Sequence, residues 1–210
     1  MSYGYIGDTS TSIKQQVKNA GVLSMSDVLD LKSKGHLGGS LEHINTETVS
    51  SSVDSINLIN LADTPYDVYL VHFIDIVASS TQQMYFRVSN DNGSSYEAGS
   101  SAYEYCGFRY HSSSAANDPR STGANAIATD LYTDATGSFN AYVYLYNFLD
   151  SSKFSSLNYH GVSSLSGTMR MGYGGGVYQT AEVTNGFQLL SSGTTGGTAK
   201  LYGLKQLWVI

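Results

Sequence analysis

Enzymatic chemistry would need a nucleophile with its base, a pair of carboxylates or a metal cluster, and each leaves a local signature in a sequence. The five histidines, at 36, 43, 72, 111 and 160, lie far apart and form neither a His-x-x-x-His nor a His-Glu spacing. The single cysteine, Cys106, rules out a Cys-x-x-Cys pair, so no zinc site is expected. His72 sits inside an apolar run and reads as a core or interface histidine hydrogen-bonded to its surroundings. Serines are abundant, notably at 50–52 and 112–114, yet none stands in a Gly-x-Ser-x-Gly elbow; the string GSLEH at 39–43 departs from that pattern at its last position. The glycine strings Gly172–Gly176 and GTTGG at 193–197 lack the Gly-Lys-Thr ending of a phosphate-binding loop and are expected to be turns or bulges. In SNDNGSS, residues 89–95, Asp91, Asn92 and Ser95 could offer hard oxygen ligands to a divalent cation, but the twelve-residue calcium pattern is missing. A hairpin turn is the better reading there. No metal, no cofactor and no catalytic residue is expected, and the chain reads as non-enzymatic.

Seventeen tyrosines are the least ordinary feature. Tyrosine combines a rigid apolar body with a polar tip and suits surfaces that must adhere while staying wetted. Tyr142, Tyr144, Tyr146 and Tyr173 could stack on sugar rings, be buried against another subunit, or fill a second layer of the chain's own fold. The sequence leaves the three open.

The elements that must carry these residues are mostly strands. Charged residues are only 13% of the 210 and hydrophobic residues 41%, with Ser, Thr, Asn, Gly and Tyr in place of the missing charge. Long solvated helices need Glu, Lys and Arg on their outer faces, so this composition favours short strands and tight turns. The net charge is −6 and the eleven basic residues are scattered, which argues against direct nucleic-acid binding. With one cysteine no internal disulfide can form, in keeping with folding in a reducing cytoplasm. MSYGYIGDTS has no signal-peptide pattern, and no apolar run approaches the roughly 20 residues that a membrane span needs, so no membrane insertion is expected.

Helical spacing appears only near the start. Ile13 and Val17 in SIKQQVKNAG, then Met25, Val28, Leu29 and Leu31 over residues 25–34, predict two short amphipathic helices suited to docking on a partner. Residues 1–44 are accordingly read as a docking segment and 45–210 as one β-sandwich domain. DVYLVHFIDIV, Asp67 to Val77, is apolar on both faces and predicts a central strand covered on each side. QQMYFRVSNDNGSSYEA predicts a hairpin turning at Asp91 to Gly93, with its partner strand running through Tyr96 or Tyr103 to Tyr110. Residues 111–126 have almost no apolar content and predict the longest loop. FNAYVYLYNF alternates most cleanly, with Ala141, Val143 and Leu145 on one face and Tyr142, Tyr144 and Tyr146 on the other.

The ordered strings YLVHFIDIVASSTQQMYFRVSNDNGSSYE, GSFNAYVYLYNFLDSSKFSSLNYHG and GFQLLSSGTTGGTAKLYGLK resemble a jelly-roll module of tail fibres, receptor-binding proteins and other minor virion proteins of tailed bacteriophages. Its signature pieces correspond to Tyr69–Phe73, Tyr85–Gly93 and Gly197–Leu204, and the resemblance covers roughly residues 66–204. GVLSMSDVLDLKSKGHLGGSLEHI resembles the short helical segments that precede such modules. The resemblance implies an antiparallel jelly-roll-like sandwich, a place in the virion, other virion proteins as partners, and homo-oligomers, commonly trimers in fibres. It supplies no catalytic residue. A structural tail, baseplate or fibre protein is therefore the first expectation; a module recognising host cell-surface glycan and a capsid decoration protein are the alternatives.

Overall fold

A computed structural model describes residues 26, 29, 41–63 and 65–204. Contacts divide the chain into two compact units, residues 1–42 and 43–210. Of the expected N-terminal helices, only Ser26 and Leu29 are described, two isolated positions with helical backbone that do not establish a helix. Ile13, Val17, Met25, Val28 and Leu31 lie outside the described residues.

The chain is mainly β, with eleven strands among the described residues: β1 Leu41–Leu58, β2 Val68–Ala78, β3 Gln82–Ser89, β4 Tyr103–His111, β5 Ser114–Asn117, β6 Arg120–Ala124, β7 Ile127–Thr133, β8 Phe139–Tyr146, β9 Phe154–Leu165, β10 Thr168–Ala181 and β11 Gly186–Leu204. One 3-10 turn, Leu61–Asp63, separates the first two strands. No helix among the described residues is long and apolar enough to cross a membrane.

The long strand β11 organises the sheet. Its first part, Gly186 to Leu190, pairs antiparallel with β3, and its later part, Thr195 to Gly203, with β2. Because β2 and β3 are consecutive, they lie end to end beside it. β1 also pairs with β11, and side-chain bonds from Thr48 to Thr198 (3.2 Å) and from Gln188 to Asn57 (2.9 Å) set that pairing antiparallel. From β2 the ladder continues through β8, β9, β10 and β4, with β5 and β6 on β4; from β3 it continues to β7. β7 packs over β4, β9 and β10, so the sheet folds back on itself into two layers.

The inward side chains fill the space between. Phe86 of β3 stacks on Phe73 of β2 at 5.9 Å and meets Phe187 at 5.4 Å and Tyr159 of β9 at 5.9 Å. All four are buried, and each such ring stabilises the fold by about 2 kcal/mol through removal from water. Tyr103 is buried with both hydrogen-bond roles used: its hydroxyl donates to the Glu97 carbonyl (3.0 Å) and accepts from the Val88 amide (3.0 Å).

A line of glycines lets β7 come close. Ile127 and Leu131 of β7 lie against Gly176 and Gly172 of β10, and Tyr159 reaches across Gly107 and Gly174 to donate to the Thr129 carbonyl at 3.2 Å. A Cβ at Gly107, Gly174 or Gly176 would come within 3 Å of its neighbours, while Gly172 is less tightly approached.

Several expectations are corrected here. β2 is central, lying between β8 and β11, but its outward side is not covered: His72 and Asp75 are exposed. Asp75 has φ +50° and its amide is tied to the Asn140 side chain at 2.9 Å; the register breaks there, which returns Ile76 to the interior. β3 forms no hairpin with β4; its ladder partners are β11 and β7. The 111–126 stretch is not one loop, since β5 and β6 hydrogen-bond to β4 with few of their residues shielded from water. Gly172–Gly176 lies inside β10 and 193–197 inside β11, although Gly197 does take φ +137° beside a register shift.

Candidate functional site

The outward face of the larger layer carries the candidate residues, because period-two alternation sends every second side chain of β2, β8, β9, β10 and β4 to it. Along β8, Ala141, Val143 and Leu145 are buried while Tyr142, Tyr144 and Tyr146 face outward. Antiparallel register then lines residues up across the strands: Lys200, His72, Tyr142, His160, Tyr173 and Phe108 are successive partners on β11, β2, β8, β9, β10 and β4. The four tyrosines singled out from sequence thus share one face, with Tyr173 two strands away from Tyr142.

Most of these rings are fixed by one another. Tyr142 and His160 are edge-on at 5.4 Å, and a 3.0 Å hydrogen bond joins the Tyr142 hydroxyl to His160 Nδ1. Tyr144 lies 6.0 Å from Tyr142 and stacks on Tyr146 at 6.4 Å; the Tyr146 hydroxyl donates to Asn158 Oδ1 at 3.3 Å. Tyr173 stacks on Phe108 at 6.2 Å, which in turn meets Tyr110. Tyr202, against His72 and His43, extends the patch toward β1. Partial burial, followed by the neighbouring Tyr144, raises the Tyr146 phenol above its usual value, so this hydroxyl stays protonated at neutral pH.

Two grooves cut the face. One of about 390 Å³ is lined by His72, Ile74, Tyr142, Val162, Met169 and Met171 among others. The second, of about 380 Å³, lies between Tyr142 and Tyr173, over Asn158, His160 and Gly174. The Tyr142–His160 pair lines both. His160, Asn158 and the methionines were not singled out from sequence; the signal that could have found them is the alternation of Ser156, Asn158, His160 and Val162 along β9.

Asp91, Asn92 and Ser95 come together, but as a closed turn. Asp91 accepts from the Ser89 hydroxyl (2.7 Å), the Ser95 amide (2.9 Å) and the Ser95 hydroxyl (2.6 Å), and Asn92 Oδ1 accepts from the Asn60 amide (2.6 Å). These bonds, those from Ser95 foremost, hold the Asp91 carboxyl down at about 2. Its oxygens are thereby engaged in stabilising the turn. No group of three or more His, Cys, Asp or Glu converges among the described residues. His72 is exposed and edge-on to Tyr202 at 5.9 Å, outside the core. Leu29, the one described member of the expected docking set, is exposed.

No protein-family model matches the chain. A search of curated proteins likewise finds no relative.

One buried charge cluster lies on the inward side. Arg109 pairs with Asp130 at 3.0 Å, Asn117 donates to the same carboxylate at 2.7 Å, and the Arg170 guanidinium lies 4.9 Å over the Tyr132 ring. Burial, then the adjacent Arg109, lowers the Arg170 pKa from its ordinary value. Asp130 has φ +54°, a conformation that Asp and Asn tolerate better than other side chains. These groups join β4 and β10 to β7.

Proposed function

We propose that this chain is a structural, non-enzymatic component of a tailed-bacteriophage particle, of its tail, baseplate or fibre, with a jelly-roll-like sandwich as its body. In this reading its partners are other virion proteins and copies of itself, a trimer where it forms part of a fibre.

The observation that carries the reading is how the signature strings fall in space. Tyr69–Phe73 lies in β2, Tyr85–Gly93 in β3 and the turn that follows, and Gly197–Leu204 in β11. The first and last strings are far apart in sequence and hydrogen-bonded in space, Gly203 with Tyr69 and Ala199 with Phe73, while Tyr85 pairs with Leu190, which precedes the last string on β11.

Locating the chain in purified particles by cryo-electron microscopy tests the reading, with density at the tail, baseplate or fibre expected. Density on the head would favour a decoration protein instead, and absence from particles would refute a virion role. Removing residues 1–40 should abolish incorporation while leaving residues 43–210 folded; undiminished incorporation would refute a docking role for that segment.

A further inference from the structure

We infer that the grooves on either side of the Tyr142–His160 pair form a binding site for a neutral oligosaccharide, with Tyr142 and Tyr173 as stacking rings and His160 and Asn158 as the polar groups that orient the sugar. The inference goes beyond the assembly reading and does not depend on it.

Four observations carry it. First, Tyr142 and Tyr173 remain 40% and 49% exposed although neighbouring rings hold them, so the sheet presents rigid aromatic surface to solvent. Second, Tyr142, His160 and Tyr173 are register partners on three adjacent strands, which sets their backbone positions in a row at the strand spacing of about 4.8 Å, with the Tyr142 and His160 rings edge-on at 5.4 Å. That repeat is close to the advance of one pyranose unit along an extended glycan. Third, no carboxylate, ammonium or guanidinium lines either groove. An anionic glycan or a charged peptide would leave its charge without a partner there, whereas a neutral pyranose has an apolar C–H face for the rings and hydroxyls for the rim. Fourth, polar capacity remains within the apolar walls. His160 uses Nδ1 toward Tyr142, and its Nε2 has no hydrogen-bond partner among the described residues. Asn158 accepts through Oδ1 from Tyr146 and keeps its amide nitrogen for a ligand oxygen.

Each groove, at about 390 and 380 Å³, lies in the range of small-ligand sites. A second copy of the chain is the rival occupant, and the unused polar atoms among the rings favour the sugar. The interior of a permanent interface would bury those atoms unpaired, at a cost in free energy.

The test is affinity electrophoresis of the full chain in gels containing a neutral polysaccharide (dextran, mannan, starch or β-glucan) or the anionic polysialic acid. Saturation-transfer NMR with the corresponding neutral oligosaccharides gives the contact map. At least one neutral polymer is expected to retard the chain and polysialic acid is not. Tyr142→Ala and Tyr173→Ala should each weaken retardation about tenfold or more, a change in affinity of roughly 1.4 kcal/mol. Phe154→Ser, on the same face but outside both grooves, should leave it unchanged. All three positions are exposed, and matching circular dichroism checks that the variants fold. Failure of every neutral polymer overturns the inference, as does a preference for polysialic acid. Self-association that Tyr142→Ala and Tyr173→Ala disperse, without sugar binding, would assign the face to a second copy. None of these outcomes bears on where the chain sits in a particle.

Discussion

Replacing Gly174 with alanine is the sharpest test of how the two layers are held. A Cβ built at Gly174 lies 2.6 Å from the Cys106 carbonyl oxygen, 2.8 Å from Gly107 Cα and 2.8 Å from the Tyr159 hydroxyl. Two of these neighbours are backbone of the adjacent strand β4, so relief requires β4 and β10 to separate. Overpacking of this kind costs about 1–3 kcal/mol, and displacing Tyr159 threatens its bond to Thr129, worth about 1 kcal/mol more. Against that stands about 0.4–1 kcal/mol gained from a less flexible unfolded chain. The net expectation is a loss of about 2–3 kcal/mol. Gly172→Ala is the internal control: its nearest neighbours are Leu131 Cδ2 at 3.2 Å and the Phe108 carbonyl oxygen at 3.3 Å, contacts that small adjustments relieve. There the entropic gain nearly cancels the crowding, for a change within about 0.5 kcal/mol. In urea, with a slope near ~2 kcal/mol per molar, Gly174→Ala should lower the midpoint by about 1 M and Gly172→Ala by no more than about 0.25 M. A Gly174→Ala midpoint equal to the parent's, or a Gly172→Ala loss exceeding that of Gly174→Ala, would refute the close-approach account.

Two further perturbations follow from the electrostatics. Asp134 is held at about 2, chiefly by the Thr136 amide and hydroxyl, and Asp91 also stands at about 2; both are therefore below the unfolded value of about 3.9. Their stabilising effect is complete above that value and is lost as pH falls toward about 2, because the unfolded chain binds the protons more readily. The melting temperature should be level near neutral pH and decline below about pH 4, and an Asp91→Asn, Asp134→Asn double variant should show a shallower acid decline; an unchanged acid slope would contradict this. Asp130→Ala removes the carboxylate paired with Arg109 near the second guanidinium of Arg170, and should cost about 3 kcal/mol in chemical denaturation. Asp130→Asn retains the tolerance for φ +54° and an acceptor oxygen, so its loss should be the smaller of the two, and the reverse order would count against the charge argument.

What the sequence made legible was local. The alternation in β8 placed Tyr142, Tyr144 and Tyr146 opposite Ala141, Val143 and Leu145, because period-two patterning is a direct record of which side is dry. Strand partners were less accessible. β3 carries the alternation of any half-buried strand, and nothing in it distinguishes a near neighbour such as β4 from β11, which begins almost a hundred residues later. β5 and β6 pair only with β4 and are largely exposed, so no hydrophobic rhythm marks them in the sequence. Gly172–Gly176 reads as a turn or bulge, whereas the rule in force is the other one for glycine, close approach of another strand. The candidate grooves were half visible: the tyrosines stood out by composition, while His160, Asn158 and Met169 acquire meaning only through the cross-strand register.

The shared strand β11 also dictates an order of events during synthesis. It is the last strand of the described fold, yet both layers hydrogen-bond to it, so a nascent chain that has not yet exposed Gly186–Leu204 to solvent has β2 and β3 each lacking their common neighbour. Such a chain displays two unsatisfied strand edges beside a run of phenylalanines, the state most prone to clumping. Stalled ribosomal products ending before residue 186 should accordingly be holdase clients and protease-sensitive, and resistance should arrive in one step once the final strand has emerged.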